Sequence, residues 1–302
     1  MKILITGSNG LLGQKLVKQI VEEGKHELIA TARGENRLPK ASTYTYQSLD
    51  ITDRTAVLQA VSAVKPDVII NTAAMTNVDQ CEDDKENCDL LNVKAVRYLI
   101  EACKKNNSFL LHLSTDFIFD GKDGPYKEEA EANPISYYGE SKLAAEKLLL
   151  NSDINWAIAR TVLVYGIAHD MSRSNIILWV KSSLEKGIHI DVVNDQWRTP
   201  TLAEDLAKGC LLIADKKAEG IFNISGEELL TPFDMAMRTA EFFKLDKSLI
   251  NETDGSKFKQ RAKRPPKTGF ILDKAKEVLG YKPVTFEQGI AILAEQIKAK
   301  KA

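Results

Sequence analysis

The chain has 302 residues, with 41 Lys plus Arg against 42 Asp plus Glu, and is 44% hydrophobic and 7% aromatic. This charge balance lacks the basic surplus of a dedicated nucleic-acid binder, and no apolar run approaches the ~20 residues that cross a bilayer, so a small-molecule partner is expected, with no nucleic acid and no membrane. The length suits one large and one small lobe, closely joined.

Residues 3–6 form the first predicted strand, an apolar run too short for a signal-peptide core and stopped by a glycine turn, so a cytoplasmic location is expected. Gly7-Ser8-Asn9-Gly10-Leu11-Leu12-Gly13 follows at once and opens a helix through Leu16, Val17 and Ile20. A glycine-rich turn between a first strand and a helix suits a dinucleotide. Gly7 allows the tight turn, Gly10 lets the backbone approach the pyrophosphate, and Gly13 lets helix and strand pack closely. The main chain over Asn9, Leu11 and Leu12, at the positive end of the helix dipole, then faces the phosphates.

The second strand, 27–31, runs into Ala32-Arg33. An acid there would hold the adenosine ribose hydroxyls. None is present, and Arg33 and Arg37 are placed to pair with the extra phosphate of NADP, so NADPH is expected ahead of NADH. Asp50-Ile51, after the strand at 44–49, is placed to hold the adenine amine. Asn71-Thr72-Ala73-Ala74, after the strand at 68–71, is small enough to admit the dinucleotide, with Met75 next along the same wall. Cys81, Cys88, Cys103 and Cys210 are scattered, with no Cys-x-x-Cys pair and no clustered histidines, so reduced thiols are expected and no metal site.

The strand at 109–113 leads into Ser114-Thr115-Asp116-Phe117. Strand alternation turns one of Ser114 and Thr115 toward the site, where its hydroxyl would hold a substrate carbonyl as oxyanion character grows. Tyr138-Gly139-Glu140-Ser141-Lys142 then puts a phenol and an ammonium on one helical face. The cation, together with an oxidised nicotinamide, is expected to lower the phenol pKa from its usual ~10, so that Tyr138 exchanges a proton with the alkoxide formed when hydride reaches a carbonyl. Tyr137 lies five residues from Lys142 and points elsewhere.

A sixth strand at 156–160 completes an alternation of short buried runs with amphipathic stretches, the pattern of an α/β fold with a Rossmann-type doubly wound parallel sheet. Beyond it come helices near 173–186 and 202–214, a strand near 220–224, and helices near 232–244 and 286–299. Pro265-Pro266 marks a loop, and the Lys-rich tail reads as a frayed helix end. The predicted division is an NAD(P)-binding domain over 1–165, rejoined by 201–224, and a smaller C-terminal α/β substrate lobe over 166–302.

Five motifs resemble the dTDP-4-dehydrorhamnose reductase family of extended short-chain reductases, over nearly the whole chain. They are Gly7-x-x-Gly10-x-x-Gly13, Asn71-Thr72-Ala73-Ala74-Met75-Thr76-Asn77-Val78-Asp79, Ser114-Thr115-Asp116-Phe117-Ile118-Phe119-Asp120-Gly121, Tyr138-x-x-x-Lys142, and Asp195-Gln196 followed by Thr199-Pro200-Thr201. The resemblance implies Thr115, Tyr138 and Lys142 as catalytic triad and a nucleotide-sugar substrate whose keto group is reduced, as in dTDP-4-dehydrorhamnose to dTDP-rhamnose. Some members form dimers, so a homodimer is compatible with it. Related dehydratases carry Thr-Asp-Glu at the strand end, because loss of water needs an acid and a base besides the tyrosine; Phe117 in place of the glutamate points to plain reduction.

Two departures bear on the sugar. Leu163 stands where the family places a tryptophan near the sugar, and Arg198 where it has a glycine. Trp197 is placed to restore the aromatic contact and Arg198 to meet a phosphate or carboxylate on the ligand, unless both serve loop packing. Two other readings stay open: a non-catalytic NADP-binding regulatory subunit, like the beta subunit of methionine adenosyltransferase, and a nucleotide-sugar epimerase or reductase acting on a different sugar.

Overall fold

The structure, a computed structural model, describes residues 1–38, 43–170, 174–258 and 261–301. In chain order the first part contains β1 (Lys2–Thr6), α1 (Leu11–Glu23), β2 (Glu27–Ala32), β3 (Thr45–Ser48), α2 (Arg54–Val64), β4 (Val68–Asn71), α3 (Val78–Asp83), α4 (Lys85–Asp89), α5 (Ala95–Asn106), β5 (Phe109–Thr115), α6 (Tyr137–Leu150) and β6 (Trp156–Thr161). There follow β7 (Val164–Tyr165), α7 (Ile176–Glu185), β8 (Ile190–Val193), β9 (Thr201–Leu202), α8 (Ala203–Lys216), β10 (Gly220–Asn223), α9 (Pro232–Phe242), β11 (Ile250–Thr253) and α10 (Phe286–Lys301).

Seven strands form one parallel sheet in the order β10-β6-β5-β4-β1-β2-β3. Strand alternation divides its core into two layers. Ile3, Ile5, Val68, Ile70, Phe109 and Leu111 face α1 and α8, whereas Leu4, Ile69, Leu110 and Ile158 face α2 and α5. These strands are buried on both faces, which is why they read as continuous apolar runs. The chain steps outward from β1 through β2 to β3 and then returns to β4 on the other side of β1. This reversal opens a crevice at the carboxyl ends of β1 and β4, where open α/β sheets bind ligands.

β10 closes the edge of the same sheet, with Gly220 opposite Ala157. The late residues Phe270, Leu272, Ala275, Leu279 and Tyr281 also pack into the core beneath α8. The remaining segments form a smaller body around two parallel strand pairs, β7 with β9 and β8 with β11. Its core holds Tyr165, Ile177, Met235, Phe286 and Ile290.

The helix expected near 173–186 is Ile176–Glu185; Arg173 lies outside the described residues. The C-terminal helix continues to Lys301, with Leu293 buried on one face and Lys298 paired to Glu295 at 2.8 Å on the other. Among the described residues no helix is long and apolar enough to cross a membrane.

Candidate active site

Gly7 adopts φ +73°, and a Cβ there would stand 2.8 Å from Ala73 N, so the turn after β1 can approach the end of β4 only as glycine. Gly13 is equally constrained: its Cβ would lie 2.3 Å from the Gly7 carbonyl oxygen. Gly10 begins α1 with no capping side chain, which leaves the first-turn N–H groups of Leu11, Leu12 and Gly13 open to the crevice. Ser8 Oγ is buried with no hydrogen-bond partner among the described residues, an orphan that an anion's oxygen would satisfy.

The loop after β2 is folded against this turn. Asn9 Nδ2 donates to Glu35 O at 2.8 Å, Asn9 Oδ1 accepts from Arg37 N at 2.9 Å, and the Tyr46 hydroxyl donates to Gly34 O at 2.7 Å. The Asn9 side chain is therefore spent on the loop, and its main chain remains for a ligand. Arg33 and Arg37 are exposed, with no ion pair among the described residues. Asp50 Oδ1 accepts from Thr52 N and Oγ1 at 2.9 and 2.7 Å. Burial pushes its carboxyl up, but Thr52 and the nearby Arg33 outweigh it and hold the group below the usual aspartate value. Ile51 beside it is buried.

Ala73 and Ala74 line the opposite wall, partly buried. Met75 is held through its main chain: its N–H donates to Asn92 Oδ1 at 2.8 Å and its carbonyl accepts from Asn92 Nδ2 at 3.1 Å. Asn92 also donates to Ser141 Oγ at 3.0 Å, tying the wall to α6. It sits in a π-helical turn, Leu90–Lys94, between α4 and α5, a distortion frequent at functional sites. Sequence reading missed Asn92, because one asparagine in an apolar helical stretch carries no periodic signal.

The candidate reacting groups lie around the carboxyl end of β5. Ser136 caps α6, its Oγ accepting from Gly139 N at 3.3 Å, and starts the helix so that Tyr138 enters the site in the first turn. The Tyr138 ring is buried among Cys81 and Cys88 and meets Phe117 edge-on, with centroids 5.8 Å apart. Of the two hydroxyls at the strand end, Thr115 lies against the Tyr138 phenol and donates to Asp116 Oδ1 at 3.1 Å, whereas Ser114 Oγ is buried without a partner among the described residues. Burial pushes the Tyr138 pKa well above the usual phenol value, against the lowering effect of Thr115, and Asp116 adds to the rise. Desolvation of the phenolate dominates, and Lys142 is not among the groups that shift it. Tyr137 is engaged elsewhere, its hydroxyl donating to Asp89 Oδ2 at 2.8 Å.

Lys142 is buried beside this group. Its Nζ donates to Leu113 O at 2.6 Å and lies 3.2 Å from His112 Nε2. Burial lowers its pKa to about 8, while Glu146 favours the charged form. Behind it, His112 Nδ1 lies 3.0 Å from Asn71 Nδ2, and Asn71 Oδ1 accepts from Thr6 Oγ1 at 2.6 Å. His112 was not among the predicted site residues; on a fully buried strand it reads as core.

Residues from the smaller body reach the same place. Asp116 Oδ1 accepts from Thr115 Oγ1 at 3.1 Å, Oδ2 accepts from Thr268 Oγ1, and Arg198 Nε stands 3.8 Å away. Arg198 is only 5% exposed and donates to the carbonyls of Trp197 and Pro265, each at 2.7 Å, so it is a buried loop clamp rather than a free ligand contact. Trp197 stays 39% exposed. Leu163 is exposed as well and takes φ +36°, a strained conformation for a side chain branched at Cγ. Arg264 forms a two-pronged pair with Asp79, at 3.2 and 2.8 Å, that joins the 261–268 loop to α3.

The sequence profile of the RmlD substrate binding domain family matches residues 1–299. The dTDP-4-dehydrorhamnose reductase of Aggregatibacter actinomycetemcomitans is 32% identical over 301 residues, covering 96% of this chain and 97% of that protein. Methionine adenosyltransferase 2 subunit beta of Xenopus tropicalis is 32% identical over 255 residues, 82% of this chain and 73% of that one. Among solved structures, a dTDP-4-dehydrorhamnose reductase from Clostridium acetobutylicum matches with a TM-score of 0.84 at 27% identity, over 99% of this chain and 100% of the other.

Proposed function

Because this chain belongs to the RmlD substrate binding domain family, that of the dTDP-4-dehydrorhamnose reductases, we propose that it uses NADPH to reduce the keto group of a nucleotide sugar, with dTDP-4-dehydrorhamnose as substrate and dTDP-rhamnose as product. The observation that carries this reading is the meeting of Thr115, Tyr138 and Lys142 at the end of β5, beside the crevice opened by the glycine turn.

The residues present fit the cofactor. The open N–H groups of Leu11, Leu12 and Gly13, with the close backbone at Gly7 and Gly10 and the orphan Ser8 hydroxyl, would hold the pyrophosphate. Arg33 and Arg37 would meet the extra phosphate, Asp50 and Ile51 the adenine, and Ala73, Ala74 and Met75 the opposite side of the dinucleotide. The reduced nicotinamide supplies the hydride when bound.

Thr115 turns its hydroxyl from Asp116 to the keto oxygen and orients it. Tyr138 then gives that oxygen its proton as negative charge gathers there; its raised pKa keeps the proton in place until it is needed. Lys142, cationic below about pH 8, steadies the phenolate left behind. Phe117 packs where an eliminating enzyme would need a carboxylate, so the reaction stops at reduction. In this reading the cofactor domain is 1–165 with 201–224, the substrate lobe is 166–302, and a cytoplasmic homodimer is the expected state.

The test is loss of NADPH absorbance when purified protein meets dTDP-4-dehydrorhamnose, with other keto-sugar nucleotides as comparison. Turnover with the first supports the full reading, and turnover only with another changes the sugar. No turnover with any of them, together with tight binding of a methionine adenosyltransferase catalytic subunit, would move the chain to the regulatory role of its Xenopus relative.

A further inference from the structure

We propose that His112 is a positioning residue for this reaction: its neutral ring, clamped between Asn71 and Lys142, accepts a hydrogen bond from the lysine at Nε2 and so keeps the ammonium charged and held at the end of β5. The inference rests on the reductive reading above and assigns a role to a residue that touches neither substrate nor cofactor.

The argument is one of donors and acceptors. His112 is 1% exposed, and its ring meets a polar group on each side, Asn71 at 3.0 Å from Nδ1 and Lys142 at 3.2 Å from Nε2. A neutral imidazole carries one N–H, so exactly two arrangements satisfy both contacts. In the first, the proton sits on Nδ1 and is donated to the Asn71 amide oxygen, and Nε2 accepts from Lys142 as an ammonium. In the second, whose amide orientation is the one the structure shows, Asn71 Nδ2 faces Nδ1, the proton sits on Nε2, and Lys142 must accept as a neutral amine; the first requires that amide to turn over. The turn of one buried amide is therefore coupled to the charge of the catalytic lysine.

Thr6 Oγ1 donates to Asn71 Oδ1 at 2.6 Å and could equally accept from Nδ2, so turning the amide over costs no hydrogen bond on that side. Imidazolium is disfavoured, since burial and the adjacent Lys142 both push the His112 pKa well below the usual value. The groups that face Lys142 favour the first arrangement. Glu146 on its own helix, already bound to Arg160 of β6, supports the cation, as do Cys81 of α3 and Cys88 of α4. Leu113 O takes a second ammonium proton at 2.6 Å. With His112 accepting, the ammonium has no unsatisfied direction toward the core.

The test combines kinetics with a measurement on the intact wild type. In His112→Leu the alkaline fall of kcat/KM should move to lower pH by about one unit or more, as expected for losing a hydrogen bond to a charged group, with kcat at neutral pH reduced about tenfold. His112→Gln, which returns an acceptor to the lysine side, should recover most of both effects. A His112→Leu profile that superimposes on the wild type overturns the proposal. Nitrogen-15 shifts of wild-type His112 should show the proton on Nδ1; a proton on Nε2, or an imidazolium, overturns it as well. The nitrogen measurement decides the matter even where a variant does not fold. It also separates the two ideas: an inactive wild type with the Nδ1 tautomer defeats the proposed reaction but not the coupling.

Discussion

Gly139 lies so close to Phe117 that a Cβ on it would stand 2.2 Å from the Phe117 carbonyl oxygen. The first turn of α6 therefore rests on the turn after β5, and this contact brings Tyr138 to Thr115. Gly139→Ala should push the helix away, costing about 1–3 kcal/mol as an overpacking change. Turnover should fall at least tenfold more than NADPH affinity, because the displaced group is the acid rather than the cradle. Thermal unfolding, cofactor titration and kcat on the same variant check this; unchanged kcat would show that the contact does not set the tyrosine.

Tyr138→Phe removes the proposed proton donor while keeping the ring against Phe117. Turnover should drop about a hundredfold or more with cofactor binding nearly intact. Tyr137→Phe is the internal control. Its hydroxyl donates to Asp89 of α4, so kcat should stay within about twofold of wild type, with at most about 1 kcal/mol of stability lost from the hydrogen bond.

Arg33 and Arg37 are the exposed cations of the loop that Asn9 folds over the glycine turn. Arg33→Ala should raise KM for NADPH about tenfold and leave KM for NADH nearly unchanged, with Arg37→Ala adding to the loss. Added salt should weaken NADPH binding in the wild type more than in the double variant. An unaltered ratio of the two cofactors would exclude both arginines as readers of the phosphate.

The Asp79–Arg264 pair joins α3 to the loop that also carries Thr268. Its hydrogen bond to Arg264, together with the Ala262 N–H, holds the Asp79 carboxyl below the usual aspartate value. A depressed carboxylate stabilises the fold above its unfolded pKa and loses that contribution as pH falls through the folded value. Asp79→Asn should therefore lower Tm at neutral pH, and the gap should close below the ordinary aspartate value of about 3.9. With side chains 37% and 21% exposed the effect should stay near about 0.5–1 kcal/mol. A gap that persists in acid would assign the effect to packing instead of charge.

The parts of this site that could be read in advance are local. Gly7, Gly10 and Gly13 announce a tight turn because their neighbours along the chain are a buried strand and a helix. Tyr138 and Lys142 announce a shared face because helix periodicity alone brings i and i+4 together. Arg198 was legible only as a departure, with ligand contact and loop packing both open: the carbonyls of Pro265 and Trp197 that consume its guanidinium come together only when the loop folds over it.

Sequence by itself thus determined the order of strands and helices through β6, the glycine turn between β1 and α1, and the placing of Tyr138 and Lys142 four residues apart on α6, since each follows from backbone periodicity within a few residues. Tertiary structure alone decided what those groups experience. Asn71, His112 and Lys142 lie 41 and then 30 residues apart along the chain and become one hydrogen-bonded row only through the register of β4 on β5 and the packing of α6 behind them. The burial that raises the Tyr138 pKa and lowers that of Lys142 comes from the same packing. The reason is solvation: a side chain's proton affinity depends on the water it loses, and that loss is set by residues remote in sequence.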